Sequence, residues 1–372
     1  MRIGIPSEIK DNEYRVGLTP ASVAELVSHG HRVLVQQGAG AGSGLPDDAY
    51  AKAGAQLCHG PGEIFATCDL IVKVKEPQAS ETALLRRGQV LFTYLHLAPD
   101  PPLTRALMDS GATCVAYETV TSPTGGLPLL TPMSEVAGRL AAQVGAQVGA
   151  HYLEREAGGR GILLGGVPGV SPADVLVLGG GVAGANAAHV ALGMGATVTV
   201  VDRNLDALRR LSGLMPGLRT VFSTRAALQA LAPRADLLIG TVLVPGAATP
   251  KLVTREMVAS MKQGAVIVDI SADQGGCCET TRPTSHSDPT YVVDGVVHYC
   301  VTNMPGAVPR TSTFALNNAT LTFVLALAGK GWRKAMQDDP HLRAGLNVHE
   351  GQIICPAVAQ AQGVEAGVVE GL

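Results

Sequence analysis

The stretch DVLVLGGGVAGANAAHVALGMGATVTVVDRN, residues 174–204, contains Gly179, Gly181 and Gly184 at the spacing G-x-G-x-x-G. An apolar segment typical of a strand precedes these glycines, and a segment typical of a helix follows them. In this setting the first glycine permits a tight turn, the second lets the backbone approach a pyrophosphate, and the third lets the helix pack on the strand. Because strand, loop, helix and second strand occur in order, we favour dinucleotide binding over a glycine turn used only for packing.

The second strand of this unit ends in Asp202, at the position that contacts the adenosine ribose in such folds. A carboxylate there accepts hydrogen bonds from the ribose hydroxyls and repels a 2′-phosphate. Arg203 beside it is a contrary signal, since an arginine can receive that phosphate. The sequence therefore favours NAD over NADP as the cofactor.

Apolar and helical segments alternate on both sides of this stretch. The pattern predicts strands at 2–5, 32–36, 69–74, 89–94, 113–117, 174–178, 197–201, 236–240 and 265–270, and long helices at 134–157 and 311–332. Alternation of this kind indicates βαβ units and mostly parallel sheets. The predicted fold class is α/β, with two Rossmann-like, doubly wound parallel-sheet domains, a cleft between them and long helices that join them.

A chain of 372 residues is long enough for two hydrophobic cores. We assign residues 133–305 to an NAD-binding domain, and residues 1–132 plus 306–372 to a substrate (catalytic) domain. The helix over 134–157 is interpreted as the bridge between these domains. Its small residues, which include Gly138 and Gly149, would equally suit a subunit interface.

Composition excludes several classes of function. The formal net charge is -3 and no cluster of lysine and arginine occurs, so no nucleic-acid partner is expected. Seven cysteines without a CxxC pair argue against disulfides and against a zinc site, and they predict a reducing cytoplasm. The first residues, MRIGIPSEIK, lack the apolar core of a signal peptide, and we expect no membrane association.

Polar side chains follow predicted strands of the first domain. Arg15 lies in a polar loop after the first strand, Lys75 ends the strand of DLIVKVKEP, and His96 ends that of LFTYLHLAPD. An arginine can hold a carboxylate through two hydrogen bonds, and a histidine titrates near neutral pH. The alternatives are a solvated pair of Lys75 with Lys73, which shares its face by period two, and a structural histidine.

Ligands of doubly wound sheets bind at the carboxyl ends of the strands. In the second domain this rule places Val242, Leu243, Ile270 and Asp273 toward the nicotinamide half of the cofactor, and Asn303 and Met304 similarly. Asp273 is a candidate carboxylate facing the cleft, with a loop-capping aspartate as the alternative.

Long stretches of the chain together resemble the alanine dehydrogenase family. The resemblance rests on GIPSEIKDNEYRV (4–16), VKVKEP (72–77), FTYLHLA (92–98), PMSEVAGRLAAQVGA (132–146), GGRGILLGGVPGV (158–170), DQGGC (273–277) and TNMPGAVPRTST (302–313). It implies a cytoplasmic NAD-dependent enzyme that reversibly deaminates L-alanine to pyruvate and ammonia by hydride transfer. It also implies a homo-oligomer, specifically a hexamer.

The resemblance implies a role for each matching position. Arg15 and Lys75 correspond to substrate binders, His96 to the general acid/base and Asp273 to its partner. The implied cofactor contacts, besides the glycine loop and Asp273, are Ser134, Val182, Asp202, Ser223, Val242, Leu243, Ile270, Arg282, Asn303 and Met304.

Two positions depart from the family pattern. Ala207 stands where relatives can have a basic residue, which weakens an adenosine contact. Some relatives bind a divalent metal between a residue matching Glu118 and a histidine; here Lys330 stands at the histidine position, so no metal is predicted.

Three alternative functions remain open on the sequence. An opine or saccharopine-type dehydrogenase would need a wider pocket. A transhydrogenase-like NAD-binding subunit would be expected to have a membrane-linking extension and to lack part of the Arg15, Lys75 and His96 set. A non-catalytic NAD-sensing or structural oligomer would not need these groups.

Overall fold

The computed structural model describes residues 1–242 and 249–372, apart from the side chains of residues 142–151 in one helix. It divides into two compact units, Met1–Met133 with Val308–Leu372, and Ser134–Ala307. Each unit contains one mainly parallel sheet, so the predicted α/β class with two Rossmann-like domains is confirmed.

The elements follow one another in βα order in both units. The strands are β1 (Arg2–Ile5), β2 (Arg32–Gln36), β3 (Gln56–Cys58), β4 (Leu70–Val72), β5 (Val90–Thr93), β6 (Thr113–Ala116), β7 (Asp174–Leu178), β8 (Thr197–Asp202), β9 (Arg219–Phe222), β10 (Leu237–Gly240), β11 (Val266–Asp269), β12 (Thr290–Val293), β13 (Val296–Tyr299), β14 (Leu346–His349) and β15 (Gln352–Ile353). The helices are α1 (Pro20–Ser28), α2 (Asp47–Lys52), α3 (Pro61–Thr67), α4 (Ala79–Thr82), α5 (Pro101–Ser110), α6 (Thr131–Leu153), α7 (Val182–Gly193), α8 (Leu205–Leu214), α9 (Arg225–Leu231), α10 (Arg255–Ala259), α11 (Pro309–Lys330), α12 (Trp332–Asp338), α13 (Pro340–Arg343) and α14 (Pro356–Ala361).

The sheet of the first unit has the order β15-β14-β6-β5-β4-β1-β2-β3. Strands β1 to β6 are parallel, and β14 and β15 add an antiparallel edge. The chain moves to β2 and β3 on one side of β1, and to β4, β5 and β6 on the other. The direction of winding therefore reverses between β1 and β4, which is where doubly wound sheets bind ligands.

The sheet of the second unit has the order β12-β13-β11-β10-β7-β8-β9. Its reversal point lies between β7 and β10, beside the glycine loop. Strands β12 and β13 form an antiparallel hairpin at one edge of this sheet. Asp294 and Gly295 have φ angles of 51° and 78° in its two-residue turn, and positive φ at both positions matches the right-handed twist of paired strands.

Both long helices differ slightly from their predicted bounds. Helix α6 begins at Thr131, three residues before the predicted start, so Ser134 lies within the helix. Helix α11 is long and apolar enough to cross a membrane, but a core helix passes the same test. Its Asn317 is buried and accepts hydrogen bonds from Thr19 Oγ1 at 2.7 Å and Ser22 Oγ at 2.5 Å. We therefore assign α11 to the core of the first unit.

Candidate active site

Three predicted site residues meet at one edge of the first sheet. Arg15 follows β1, Lys75 follows β4 and His96 follows β5, and these strands are parallel neighbours. Their carboxyl ends therefore lie side by side, at the reversal point of the winding. The positive charge of Arg15 acts on Lys75, and Lys75 in turn acts on Glu76, the carboxylate that contacts His96.

Arg15 is buried and held by an acidic neighbour that the sequence analysis missed. The Nε and Nη2 atoms of Arg15 donate to the two oxygens of Glu13 at 2.7 and 2.5 Å, and Nη1 contacts Met133 Sδ at 3.1 Å. Only 2% of the Arg15 side chain and none of that of Glu13 is exposed. A two-point ion pair of this kind fixes the plane of the guanidinium.

The Lys75 ammonium lies near the Glu76 charge but forms no ion pair among the described residues. Its side chain is mostly buried, and its ammonium has no hydrogen-bond or ion-pair partner in the part of the chain that the structure describes. Burial lowers the pKa of Lys75, Glu76 opposes that effect, and the charge of Arg15 lowers the pKa further. A ligand carboxylate or carbonyl oxygen would supply the missing acceptor.

Neighbouring side chains define the conformation of His96. Its φ is +52°, in the left-handed region that non-glycine residues rarely adopt. Glu118 Oε1 accepts the backbone N–H of His96 at 2.6 Å and that of Leu95 at 3.1 Å, which stabilises this turn. The imidazole stacks on the ring of Tyr94 with 5.8 Å between centroids, and its Nδ1 lies 3.3 Å from Glu76 Oε2. Backbone strain of this kind clusters at functional sites.

Lys73 is not part of a solvated pair with Lys75, so that interpretation is wrong. Its side chain is fully buried, and its ammonium bonds to Glu8 at 3.1 Å and to Glu81 at 2.7 Å. Burial raises the pKa of Glu8 despite this cation. The acidic partners of Lys73 come from other segments of the chain, so a local sequence pattern does not predict them.

The three glycines of the G-x-G-x-x-G loop have different structural roles. Gly179 has a φ of 102°, and a Cβ on Gly184 would lie 1.8 Å from the Gly179 carbonyl oxygen. A Cβ on Gly181 would meet nothing within 4 Å among the described atoms. Gly181 is the N-cap residue of α7, and it has no side chain that could accept hydrogen bonds from the helix. The first backbone N–H groups of α7 can therefore donate to a ligand. This open cradle fits the pyrophosphate of NAD.

Asp202 is held against the glycine loop by the backbone. Its Oδ2 accepts the N–H of Gly180 at 2.5 Å, and its Oδ1 accepts the N–H of Asn204 at 2.7 Å. Arg203 is exposed, whereas Arg210 reaches the loop with Nη2 3.3 Å from the Gly180 carbonyl oxygen. The family resemblance drew attention to the basic residue missing at Ala207, but Arg210, one turn further along α8, reaches the loop.

The remaining predicted cofactor contacts of the second unit lie close to the carboxyl ends of its strands or close to the glycine loop. After the strands come Ser223 (β9), Val242 (β10), Ile270 and Asp273 (β11), Arg282 (the segment between β11 and β12) and Asn303 and Met304 (β13), while Val182 begins α7. Leu243 lies outside the described residues. Ser134 lies one turn before Gly138 in α6. A Cβ on Gly138 would lie 2.1 Å from the Ala183 carbonyl oxygen, so α6 packs closely on the start of α7.

A buried carboxylate holds the loop that carries Asp273. Asp269 Oδ1 accepts the hydroxyl of Ser271 at 2.7 Å, and its Oδ2 accepts the N–H of Cys277 at 2.8 Å and the hydroxyl of Thr281 at 2.6 Å. Asp273 itself is exposed. Asp269 forms a group with the two adjacent cysteines whose atom types suit a metal, but its oxygens already have protein donors.

The two positions compared with a metal site in relatives have other partners. Both oxygens of Glu118 accept backbone N–H groups. Lys330 Nζ lies 2.8 Å from Asp338. The expectation that no divalent metal binds there stays a prediction.

Comparisons with known proteins agree along the whole chain. The family model for the N-terminal domain of alanine dehydrogenase/PNT matches residues 4–137, and that for the C-terminal domain matches residues 145–356. An alanine dehydrogenase from Halomonas elongata is 59% identical over 98% of this chain and 98% of its own. A solved structure described as L-alanine dehydrogenase superposes with a TM-score of 0.93 at 50% identity, over 98% of this chain and 99% of its own. A transhydrogenase from Sinorhizobium meliloti superposes with a TM-score of 0.81 at 29% identity, over 96% and 100%.

Proposed function

The chain belongs to the alanine dehydrogenase/PNT family, and we propose that the residues at its two sheet edges carry out the NAD-dependent oxidation of L-alanine to pyruvate and ammonia. Alanine dehydrogenase activity follows from identity of 59% to a curated enzyme over nearly the full length. The higher identity to an alanine dehydrogenase structure than to a transhydrogenase also favours this function. The assignment of individual residues is our proposal.

One observation carries the assignment of the first unit as the substrate unit. A braced Arg15 and an unpartnered Lys75 ammonium lie at the same sheet edge as His96. In the proposed reaction Arg15 binds the carboxylate of alanine, since a planar guanidinium matches the geometry of a carboxylate. Lys75 binds the oxygen that becomes the carbonyl of pyruvate, where a cation stabilises developing negative charge.

His96 moves protons in this proposal. The imidazole takes a proton from the substrate ammonium group or from the attacking water, and returns one as ammonia leaves. Asp273 contributes a carboxylate that stabilises the cationic iminium and orders water. Both assignments come from the family resemblance and from chemistry that matches these side chains.

The second unit holds NAD in this proposal, which when bound accepts the hydride from Cα of alanine. The N–H groups at the start of α7 and the space over Gly181 receive the pyrophosphate. The Asp202 carboxylate receives the ribose hydroxyls and disfavours a 2′-phosphate. The other proposed contacts are Ser134, Val182, Ser223, Val242, Leu243, Ile270, Arg282, Asn303 and Met304.

We propose a cytoplasmic homohexamer. The seven cysteines are all free and buried, as expected for a chain that needs no disulfides. Static light scattering on the purified protein tests the oligomer directly, and a mass of six chains is expected.

The assignment of His96 is tested by His96→Ala, with reduced nicotinamide followed by absorbance in the presence of L-alanine and NAD. We expect turnover to fall by about 10²–10⁴-fold, the usual contribution of a general acid/base. Binding of NAD, measured by calorimetry, should not change. The exposed His29 gives a matched control in His29→Ala, which should keep full turnover. Near-normal turnover of His96→Ala would overturn the assignment.

A further inference from the structure

Glu76 is a carboxylate of the first unit to which neither the sequence analysis nor the family resemblance gave a role. It follows Lys75 after β4, and 12% of its side chain is exposed. Its Oε2 lies 3.3 Å from His96 Nδ1, and its Oε1 forms an ion pair with Lys10 from the loop after β1. One buried carboxylate therefore joins the predicted acid/base to the loop that also contains Arg15.

The backbone and one ring face of His96 are already fixed by Glu118 and Tyr94. The remaining freedom is rotation of the ring and the choice of which nitrogen carries the proton. A hydrogen bond at one imidazole nitrogen decides both. Glu76 is the only carboxylate recorded in contact with a His96 ring nitrogen among the described residues.

We propose that Glu76 is a positioning residue that keeps the His96 proton on Nδ1, so that Nε2 exchanges protons with the substrate. This inference rests on the proposed role of His96. In the neutral ring Nδ1–H donates to Glu76, and the lone pair on Nε2 is free. When Nε2 takes a proton from the substrate, the Nδ1 proton stays in place and the imidazolium forms beside a carboxylate. The proton leaves again from Nε2.

This role requires Glu76 to stay ionised, and its surroundings favour that state. Burial alone would raise the pKa of Glu76, but the hydrogen bond from His96 and the charges of Lys75 and His96 lower it, and the bond from Lys10 adds to this. The carboxylate therefore remains an acceptor at neutral pH. The separation of 3.3 Å is long for a hydrogen bond, as is usual in active sites without substrate.

A different role is conceivable for the same contacts. Glu76 also faces the cations of Lys10 and Lys75 and could serve only to neutralise them. In that case its loss would disturb substrate binding through Lys75 and would not act through His96. The two roles differ in their effects on kcat and on KM.

The test is Glu76→Gln in the full-length enzyme, with kcat and KM for L-alanine measured together. We expect kcat to fall by about 10–100-fold with KM changed less than threefold, because the imidazole loses its orientation while the residues that bind the substrate stay in place.

Two further variants make the result decisive. Adding Glu76→Gln to His96→Ala should cost nothing more, because a residue that acts through His96 has no effect once the ring is absent. Glu25→Gln is the matched control: Glu25 lies 3.6 Å from His29 Nδ1 on the exposed face of α1, and its loss should leave all constants unchanged.

The outcomes separate this inference from the function on which it rests. A raised KM with normal kcat would assign Glu76 to neutralising Lys75 and overturn the proposal. An equal loss in the His96→Ala background would overturn it as well. Near-normal turnover of His96→Ala alone would instead overturn the assigned role of His96. Circular dichroism of Glu76→Gln checks that the variant is folded.

Discussion

The first and second units have the same strand order at their parallel core, but the residues at the carboxyl ends of their strands differ in kind. At the edge of the first sheet the side chains are charged and partly or fully buried, including Arg15, Glu13 and Lys75. At the edge of the second sheet the loop is rich in glycine, and helix α7 begins without a side-chain cap. Charged side chains suit the carboxylate of a small zwitterion such as alanine, whereas several N–H dipoles suit a pyrophosphate.

The two edges therefore differ in what holds them together. In the first unit, ion pairs such as that of Arg15 with Glu13 stabilise the site, and removing one partner of such a pair lowers the free energy of unfolding. In the second unit, the loop has a backbone conformation that glycine permits, and a substitution there breaks few side-chain interactions. The predictions below test this contrast.

The largest effect is expected for Arg15→Met. It leaves Glu13 buried without its partner, which costs roughly 3–5 kcal/mol of unfolding free energy in comparable pairs. Activity should also be lost with the carboxylate binder. Chemical denaturation followed by circular dichroism, together with turnover of NAD and L-alanine, measures both.

A double variant sharpens this result. Arg15→Met with Glu13→Leu removes both charges, and most of the lost stability should return while activity does not. If Arg15→Met alone were as stable as the natural chain, the ion pair would not hold the first edge together.

In the glycine loop, Gly184→Ala and Gly181→Ala should behave differently. A Cβ on Gly184 collides with the Gly179 carbonyl oxygen, so this variant should lose stability as well as NAD binding. A Cβ on Gly181 meets no described atom, and its φ of -69° suits alanine. Gly181→Ala should melt normally but bind NAD about tenfold more weakly, which is ~1.4 kcal/mol. Thermal melting and calorimetric titration with NAD distinguish the pair, and normal NAD binding by Gly181→Ala would contradict the cradle.

The preference for NAD over NADP should depend on a single carboxylate at the edge of the second sheet. Asp202→Asn removes the charge that repels a 2′-phosphate while it keeps a side chain of similar size. We expect the ratio of kcat/KM for NAD over NADP to fall by about tenfold. Asp206→Asn, four residues further on and exposed, is the control that should leave the ratio unchanged. An unaltered ratio in Asp202→Asn would shift the selecting role to Arg210 or Arg203.

The smallest expected effect is a pH dependence of stability at the first edge. The folded pKa of Glu76 lies below its ordinary value of 4.5, so its contribution is present above that pH and is lost as the pH falls through the folded value. Glu76→Gln should therefore destabilise the protein at pH 7 and do so less below about pH 4.5. Urea unfolding at several pH values measures the difference. The fully exposed Asp48 gives Asp48→Asn as a control, for which little change is expected. A constant difference at all pH values would contradict the ionised carboxylate.

Local sequence patterns determined much of this protein. Strands β1 and β2 have the bounds that periodicity predicts, because each has a clear apolar run between turn residues. The short β3, α3 and β9 escaped prediction, since three to seven residues carry too little periodicity. The sequence pattern identified the glycine loop and the acidic residue after it, because their roles depend on their spacing within one βαβ unit. These residues are Gly179, Gly181, Gly184 and Asp202.

Tertiary structure alone decided which charges are paired. Glu76 reaches His96 across 20 residues of sequence, and Lys73 joins Glu8 from a different strand connection. Sequence gave no signal for these pairs, because any acid can pair with any base until the sheet order brings two strand ends together. It also could not predict the left-handed turn of His96, which Glu118 stabilises from the end of the neighbouring strand. Dihedral preferences and hydrophobic periodicity are local and can be recognised in the sequence, whereas the electrostatic energy of a buried charge depends on neighbours that only the fold supplies.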